Sequence, residues 1–401
     1  MSRTRSATAG MPWIGDLPIS AGVRVGNLVF LGGHAAITAD GSVDHPGDVA
    51  AQARRAFESL IASLEECGGS VDDLVDLVSF NLDPRQIPQV LEVGAEFLPP
   101  GKEPAWTAVG TTGATVPGAL VVIRGIAVLG DSPRECITPR ASWWSSIPAS
   151  AACTKGGLVF VAGQLAIDPD GRALQRGSHA GQAREAVGRV AELLELAGGS
   201  LDDLIDMVSF HHDVRGMLDV AEVWERELFA GVSPGEAPAL TTIGVPGLHP
   251  RGPIGQYRAI ADLATGARVG RAPESVWWRE MPISAVTKKE AGALVGIAGQ
   301  VSSDGDGEIV HRGDPGAQAE YCFSQIHAGL EMLGGTLADV VEVTAFHKDP
   351  RDWEDVADAA RTAFGESRPA WTSVGTTGLY QEGYLHEIHA LGVIGSESRG
   401  E

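Results

Sequence analysis

Leu28-Val29-Phe30-Leu31-Gly32-Gly33-His34 returns as Leu158-Val159-Phe160-Val161-Ala162-Gly163-Gln164, and again as Leu294-Val295-Gly296-Ile297-Ala298-Gly299-Gln300. Other segments keep the same spacing. Gly68-Gly69-Ser70 matches Gly198-Gly199-Ser200 and Gly334-Gly335-Thr336. Ser79-Phe80-Asn81-Leu82-Asp83 matches Ser209-Phe210-His211-His212-Asp213 and Ala345-Phe346-His347-Lys348-Asp349. Pro104-Ala105-Trp106-Thr107 matches Pro238-Ala239-Leu240-Thr241 and Pro369-Ala370-Trp371-Thr372. The offsets, 130 to 136 residues, are too long for a solenoid repeat and suit a domain. The 401-residue chain therefore reads as three copies of one unit, at 1–130, 141–264 and 275–395. The joins at 130–141 and 265–275 are rich in Gly, Pro, Ser and Arg and read as linkers.

Within the first copy, residues 25–31 are apolar and β-branched and read as a strand. The apolar positions 49, 53, 56, 57, 60, 61 and 64 have helical spacing with one buried face. Gly68 follows, where a left-handed cap needs no side chain. Residues 75–82 read as a strand, 87–97 as a second helix, and 106–109 and 120–129 as closing strands. The order β-β-α-β-α-β-β describes an α+β unit with its helices on one face of a sheet.

Charge narrows the function. Thirty Lys and Arg against 52 Asp and Glu leave a net charge of −22 and no basic run. Such a field repels nucleic acid and anionic membranes, so neither is expected as a partner. Cys67, Cys136, Cys153 and Cys322 form no Cys-x-x-Cys pair, so neither a zinc site nor a redox pair is signalled. Sparse thiols, no signal-peptide pattern and no long apolar stretch make a cytoplasmic location the expectation.

Together, the element order, Val25-Gly26-Asn27-Leu28-Val29-Phe30, Ala162-Gly163-Gln164, Gly198-Gly199-Ser200-Leu201-Asp202-Asp203 and Pro-Ala-x-Thr resemble the RidA/YjgF family, three times over. The resemblance implies chorismate-mutase-like domains that join as an intramolecular pseudo-trimer around a central β-barrel, with clefts between neighbours. It also implies chemistry on reactive imines or enamines without metal or organic cofactor.

The usual residues of that chemistry are replaced. The Arg after Pro-Ala, which grips a substrate carboxylate, is Trp106, Leu240 and Trp371. The Glu of the last strand aligns with Arg124, Arg258 and His389. The early Tyr becomes Ile19, Ala149 and Ile283, and the second-helix Asn becomes Leu91, Ala221 and Ala357. A cation lost from one closing strand and regained on the next still suits an anionic, planar substrate. The expected catalytic residues are therefore Arg124, Arg258, Glu387 and His389. In His386-Glu387-Ile388-His389, strand alternation puts Glu387 and His389 on one face as a candidate acid–base pair rather than a metal site. The expected substrate contacts are Trp106, Thr107, Leu240, Trp371 and Thr372. Trp13, Trp143 and Trp277, with Trp144 and Trp278 beside two of them, suit packing between copies, and Ser20, Ser150 and Ser284 lack a nucleophile elbow. The expected partner is a small molecule. A non-catalytic metabolite-binding protein is the alternative, and a ribonuclease is disfavoured by charge.

Overall fold

The computed structural model describes residues 5–140, 142–233 and 235–395. The first repeat contains β1 (Arg5–Ala7), β2 (Gly22–Val25), β3 (Leu28–His34), α1 (Val49–Glu66), β4 (Leu74–Asn81), α2 (Ile87–Gly94), β5 (Ala105–Gly110) and β6 (Val121–Val128). The second has β7 (Glu135–Ile137), β8 (Ala152–Lys155), β9 (Leu158–Leu165), α3 (His179–Leu196), β10 (Leu204–His211), α4 (Met217–Val223), β11 (Ala239–Gly244) and β12 (Gly255–Asp262). The third has β13 (Arg268–Arg271), β14 (Val286–Lys289), β15 (Leu294–Gln300), α5 (Pro315–Glu331), β16 (Val340–His347), α6 (Trp353–Phe364), β17 (Ala370–Gly375) and β18 (His386–Val393).

Each repeat builds one six-stranded sheet with the same order, β1-β2-β3-β6-β4-β5 in the first. Two local readings change. The stretch 25–31 is a hairpin rather than one strand, because Gly26 turns the chain at φ +61° between β2 and β3. The two joins are not free linkers: β7 and β13 lie within them and pair with β8 and β14. On that added edge Cys136 and Cys153 face each other with Sγ atoms 3.0 Å apart, a pairing that sequence spacing did not signal.

The first helix of each repeat covers the outer sheet face. Asp48, Ser178 and Asp314 cap its N-terminus by accepting the N–H three residues on, and α1 buries Ala53, Ala56, Phe57, Leu60 and Leu64. A buried glutamine in that helix then fixes the closing strand. The Oε1 atoms of Gln52, Gln182 and Gln318 accept the N–H groups of Leu120, Ile254 and Leu385 at 2.7, 2.7 and 2.9 Å.

The inner sheet faces meet one another, which is why β4, β10 and β16 are buried along their whole length. Phe80, Phe210 and Phe346, one from each repeat, pack edge to face with centroids 6.1–6.4 Å apart. The ring of repeats is closed by isolated bridges: Ala105↔Ser150, Ala239↔Ser284 and Ala370↔Ser20 recur at the three junctions, and Val109↔Leu248 and Ala114↔Val374 add to two of them. The recurrent serines serve this joint. The Oγ of Ser20, Ser150 and Ser284 donates to the carbonyls of Arg368, Glu103 and Ala237 in the preceding repeat. The pseudo-trimer thus has three converging sheets. Among the described residues they touch through these bridges and do not merge into one continuous ladder.

Candidate functional site

Three cation positions and three acid positions meet where the sheets converge. Arg124 Nη1 donates to Glu342 Oε1 at 2.6 Å. Arg258 holds Asp76 through Nη2–Oδ2 at 2.6 Å and Nε–Oδ1 at 3.2 Å, and its Nη1 lies 3.8 Å from Asp206. His389 Nε2 is 3.0 Å from Asp206 Oδ1. The three close ties run from the closing strand of one repeat to β16, β4 or β10 of the preceding one, while the longer Arg258–Asp206 approach stays within repeat 2. Arg124, Arg258 and His389 were expected to face the clefts; they are instead turned to the common axis and are at most 3% exposed. Charges so buried need partners, and the partners lie across the repeat boundary.

Further out, a cleft lies at each junction. The one between repeats 1 and 2 has an empty volume of about 250 Å3, that between 3 and 1 about 420 Å3, and that between 2 and 3 about 870 Å3. The last is the widest of the three. The reason is a size exchange. Trp106 on β5 reaches back into the helix layer, packs edge-on against Phe57 at 5.5 Å and donates from Nε1 to Ser79 Oγ at 3.1 Å. It fits because α2 offers Gly94, where a Cβ would stand 2.4 Å from the indole. Repeat 2 reverses both sizes: Leu240 replaces Trp106, and Trp224, just past α4, replaces Gly94. Trp224 is anchored by Nε1 to the Pro282 carbonyl at 3.0 Å and becomes a wall of the open cleft. Trp371 likewise fills its own repeat, against Phe323, Phe364 and Trp353.

Of the residues expected to bind or act, Leu240 and Glu387 line the large cleft. Trp106 and Trp371 are 2–3% exposed core residues that border the two smaller clefts. Thr107 Oγ1 accepts the N–H of Gly163 at 2.9 Å and so stitches repeats 1 and 2. Thr372 is buried beside Gly33 at the junction of repeats 3 and 1. Glu387 and His389 do share the inner face of β18, but they do not pair. Glu387 Oε1 accepts the N–H of Thr242 from the neighbouring repeat at 3.3 Å, whereas His389 takes Asp206. His386 points the other way and meets His347, ring nitrogen to ring nitrogen at 3.0 Å.

Glu387 is the one charged side chain among the described lining residues. Burial pushes its carboxyl up to about 8, and the Thr242 N–H offsets this only in part. The carboxyl fits because residue 299 is glycine; a Cβ there would stand 2.2 Å from Oε1. The rest of the lining includes Trp224 just past α4, Trp277 and Trp278 from the turn before β14, Tyr257 from β12, Tyr380 and Tyr384 from the loop before β18, the hydroxyl residues Ser209 and Thr242, and apolar side chains. Trp13, Trp143, Trp144, Trp277 and Trp278 all lie at repeat junctions, as their positions suggested. No group of three or more His, Cys, Asp or Glu side chains placed to hold a metal occurs among the described residues. No helix of the described residues is long and apolar enough to cross a membrane.

Three converging sheets with clefts between them match the pseudo-trimeric fold class to which the sequence pointed. The chain belongs to the family described as Endoribonuclease L-PSP, the RidA/YjgF family, whose model matches residues 17–129, 145–254 and 282–394. It is 37% identical over 94 residues to the RutC family protein YjgH of Escherichia coli, which spans 23% of this chain and 70% of that protein. It is 38% identical over 103 residues to a RutC family protein of Pyrococcus horikoshii, spanning 25% of this chain and 80% of that one. A crystal structure of chorismatase shares the fold across 80% of this chain and 93% of its own, with TM-score 0.52 and 15% identity.

Proposed function

We propose that the cleft between repeats 2 and 3 hydrolyses a small planar imine, or an enamine by way of its iminium, with Glu387 as its acid–base group. One observation carries this reading: the single charged side chain among the described lining residues of the widest of these three clefts is a buried carboxyl, pushed by burial up to about 8. A carboxyl of that kind donates a proton where an ordinary glutamate would not. Thr242 N–H occupies Oε1, leaving Oε2 to carry the proton. Transfer to the imine nitrogen, or to the enamine carbon, gives an iminium beside a carboxylate. The carboxylate then takes a proton from the water that adds to the iminium carbon. Returning that proton to nitrogen makes it a leaving amine and leaves Glu387 a carboxylate; as the C–N bond breaks, the carboxylate takes the hydroxyl proton, giving a carbonyl compound and an amine or ammonia and restoring the neutral carboxyl.

Arg124, Arg258 and His389 support this chemistry from outside it, by holding the repeats in register. The expected anionic substrate finds no partner here, since no Lys, Arg or His is among the described lining residues. The same observation disfavours RNA cleavage. The narrow clefts beside Trp106 and Trp371 fit the alternative of a protein that kept its family clefts without their chemistry, but for those two clefts alone. The test is turnover: the imine of benzaldehyde and methylamine should hydrolyse faster with protein than without. Glu387→Gln should lower that rate by about 10²–10⁴-fold. A protein that binds the imine and leaves its hydrolysis rate unchanged is a binder, and this reading fails.

A further inference from the structure

Resting on that reading of the cleft, we propose that its ligand is an aromatic, amine-derived group that carries positive charge when bound and has no carboxylate. The walls supply the first observation. Trp224, Tyr257, Trp277, Trp278, Tyr380 and Tyr384 come from four separate segments of repeats 2 and 3 and surround one space. Trp277 and Tyr380 lie 5.2 Å apart, tilted at 31°, and Tyr380 is half exposed. Aromatic faces are electron-rich and attract a desolvated cation. The same faces repel an anion.

Charge supplies the second. A buried cation needs a counter-charge, and Glu387 is the one group here that can become one. A bound carboxylate would face Glu387 with no Arg or Lys to receive it. The cleft thus selects by repulsion as well as by attraction.

Comparison of the repeats supplies the third. The strand register sets Tyr257 opposite Ser209, where the other repeats set Ile123 opposite Ser79 and Ile388 opposite Ala345. Trp224 stands where repeat 1 has Gly94, and Glu387 where the closing strands of repeats 1 and 2 have Val122 and Gln256. Aromatic surface and carboxylate are therefore concentrated in one of three pseudo-equivalent clefts. A generic core would not place them together.

Three ligands of one shape and different charge test this. Benzamidine is a planar amidinium and a stable mimic of a protonated C=N group, benzamide is its neutral counterpart, and benzoate is the anion. Calorimetric titration should give benzamidine at least tenfold higher affinity than benzamide, with benzoate weakest. Glu387→Gln, checked for an unchanged circular dichroism spectrum, should remove the preference for benzamidine and leave benzamide binding as it was. Trp277→Ala should weaken benzamidine by several-fold. Benzoate binding as tightly as benzamidine, a preference that survives Glu387→Gln, or no binding of benzamidine overturns the inference. None of these ligands is turned over, so their failure leaves the hydrolysis of a neutral imine standing or falling on its own assay.

Discussion

The carboxyl of Glu387 in repeat 3 is held by the backbone N–H of Thr242 in repeat 2, with Oε1 3.3 Å from the nitrogen. The candidate acid–base group thus depends on a contact that neither repeat makes alone. A homotrimer of one repeat would place the same pair at three junctions. In the fused chain the counterpart of Glu387 at the other two junctions is Val122 or Gln256, so one cleft can specialise.

Burial raises the Glu387 carboxyl to about 8, above its ordinary value of 4.5. The folded state then keeps a proton that the unfolded chain has released. Between about pH 4.5 and 8 the folded state binds more protons, so this group makes stability fall as pH rises, and the loss is complete above the folded pKa. Glu387→Gln should flatten that part of the stability curve and raise the melting temperature most above pH 8. The expected gain is up to a few kcal/mol, on the order of 1.4 per pH unit. Urea melts across this range check it.

Gly299→Ala should expel Glu387 from its seat, because the new methyl would stand 2.2 Å from Oε1. Catalysis and benzamidine binding should fall together while the fold survives, at a cost of about 1–3 kcal/mol from overpacking. The equivalent Gly163→Ala meets Gln256 instead and should leave imine turnover unchanged.

Leu240→Trp should close the open cleft and collide with Trp224, as a side chain on Gly94 would collide with Trp106. The single variant should be destabilised by about 1–3 kcal/mol and bind no ligand. Adding Trp224→Gly restores the pairing of repeat 1 and should recover most of the stability without recovering binding. A double-mutant cycle measures that coupling.

Arg258→Ala leaves Asp76 buried without its two-bond partner, and Asp206 with His389 alone. Removing one partner of a buried pair costs about 3–5 kcal/mol. The melting temperature should drop well before activity does, and the activity that remains at low temperature should show an unchanged KM. A large KM change in a stable variant would place Arg258 at the substrate instead.

The repeated strand at Leu28–His34, the capped first helix and the Gly-Gly turns were legible in sequence because each is a local pattern with a local physical cause. The depth of a side chain was not. Strand alternation puts Glu387 and His389 on one face, and that is where they are. It does not tell that in converging sheets one position looks into a cleft and the position two on looks down the axis. The Arg124, Arg258 and His389 series was therefore assigned to the clefts although it belongs to the joint. Leu240 read as a replaced arginine and an expected substrate contact, and Trp224 carried no local pattern that set it apart. The exchange of Gly94 and Trp106 for Trp224 and Leu240 was visible as two size changes in one pair of positions, but that those positions touch is a tertiary fact. Cys136 and Cys153 escaped for the same reason.

The most direct test compares the three pseudo-equivalent closing-strand positions in one assay of imine hydrolysis. With the imine of benzaldehyde and methylamine, Glu387→Gln should lose about 10²–10⁴-fold in rate, whereas Gln256→Ala and Val122→Ala keep the wild-type rate. Equal losses at all three positions, or a wild-type rate in Glu387→Gln, would contradict a single active cleft between repeats 2 and 3.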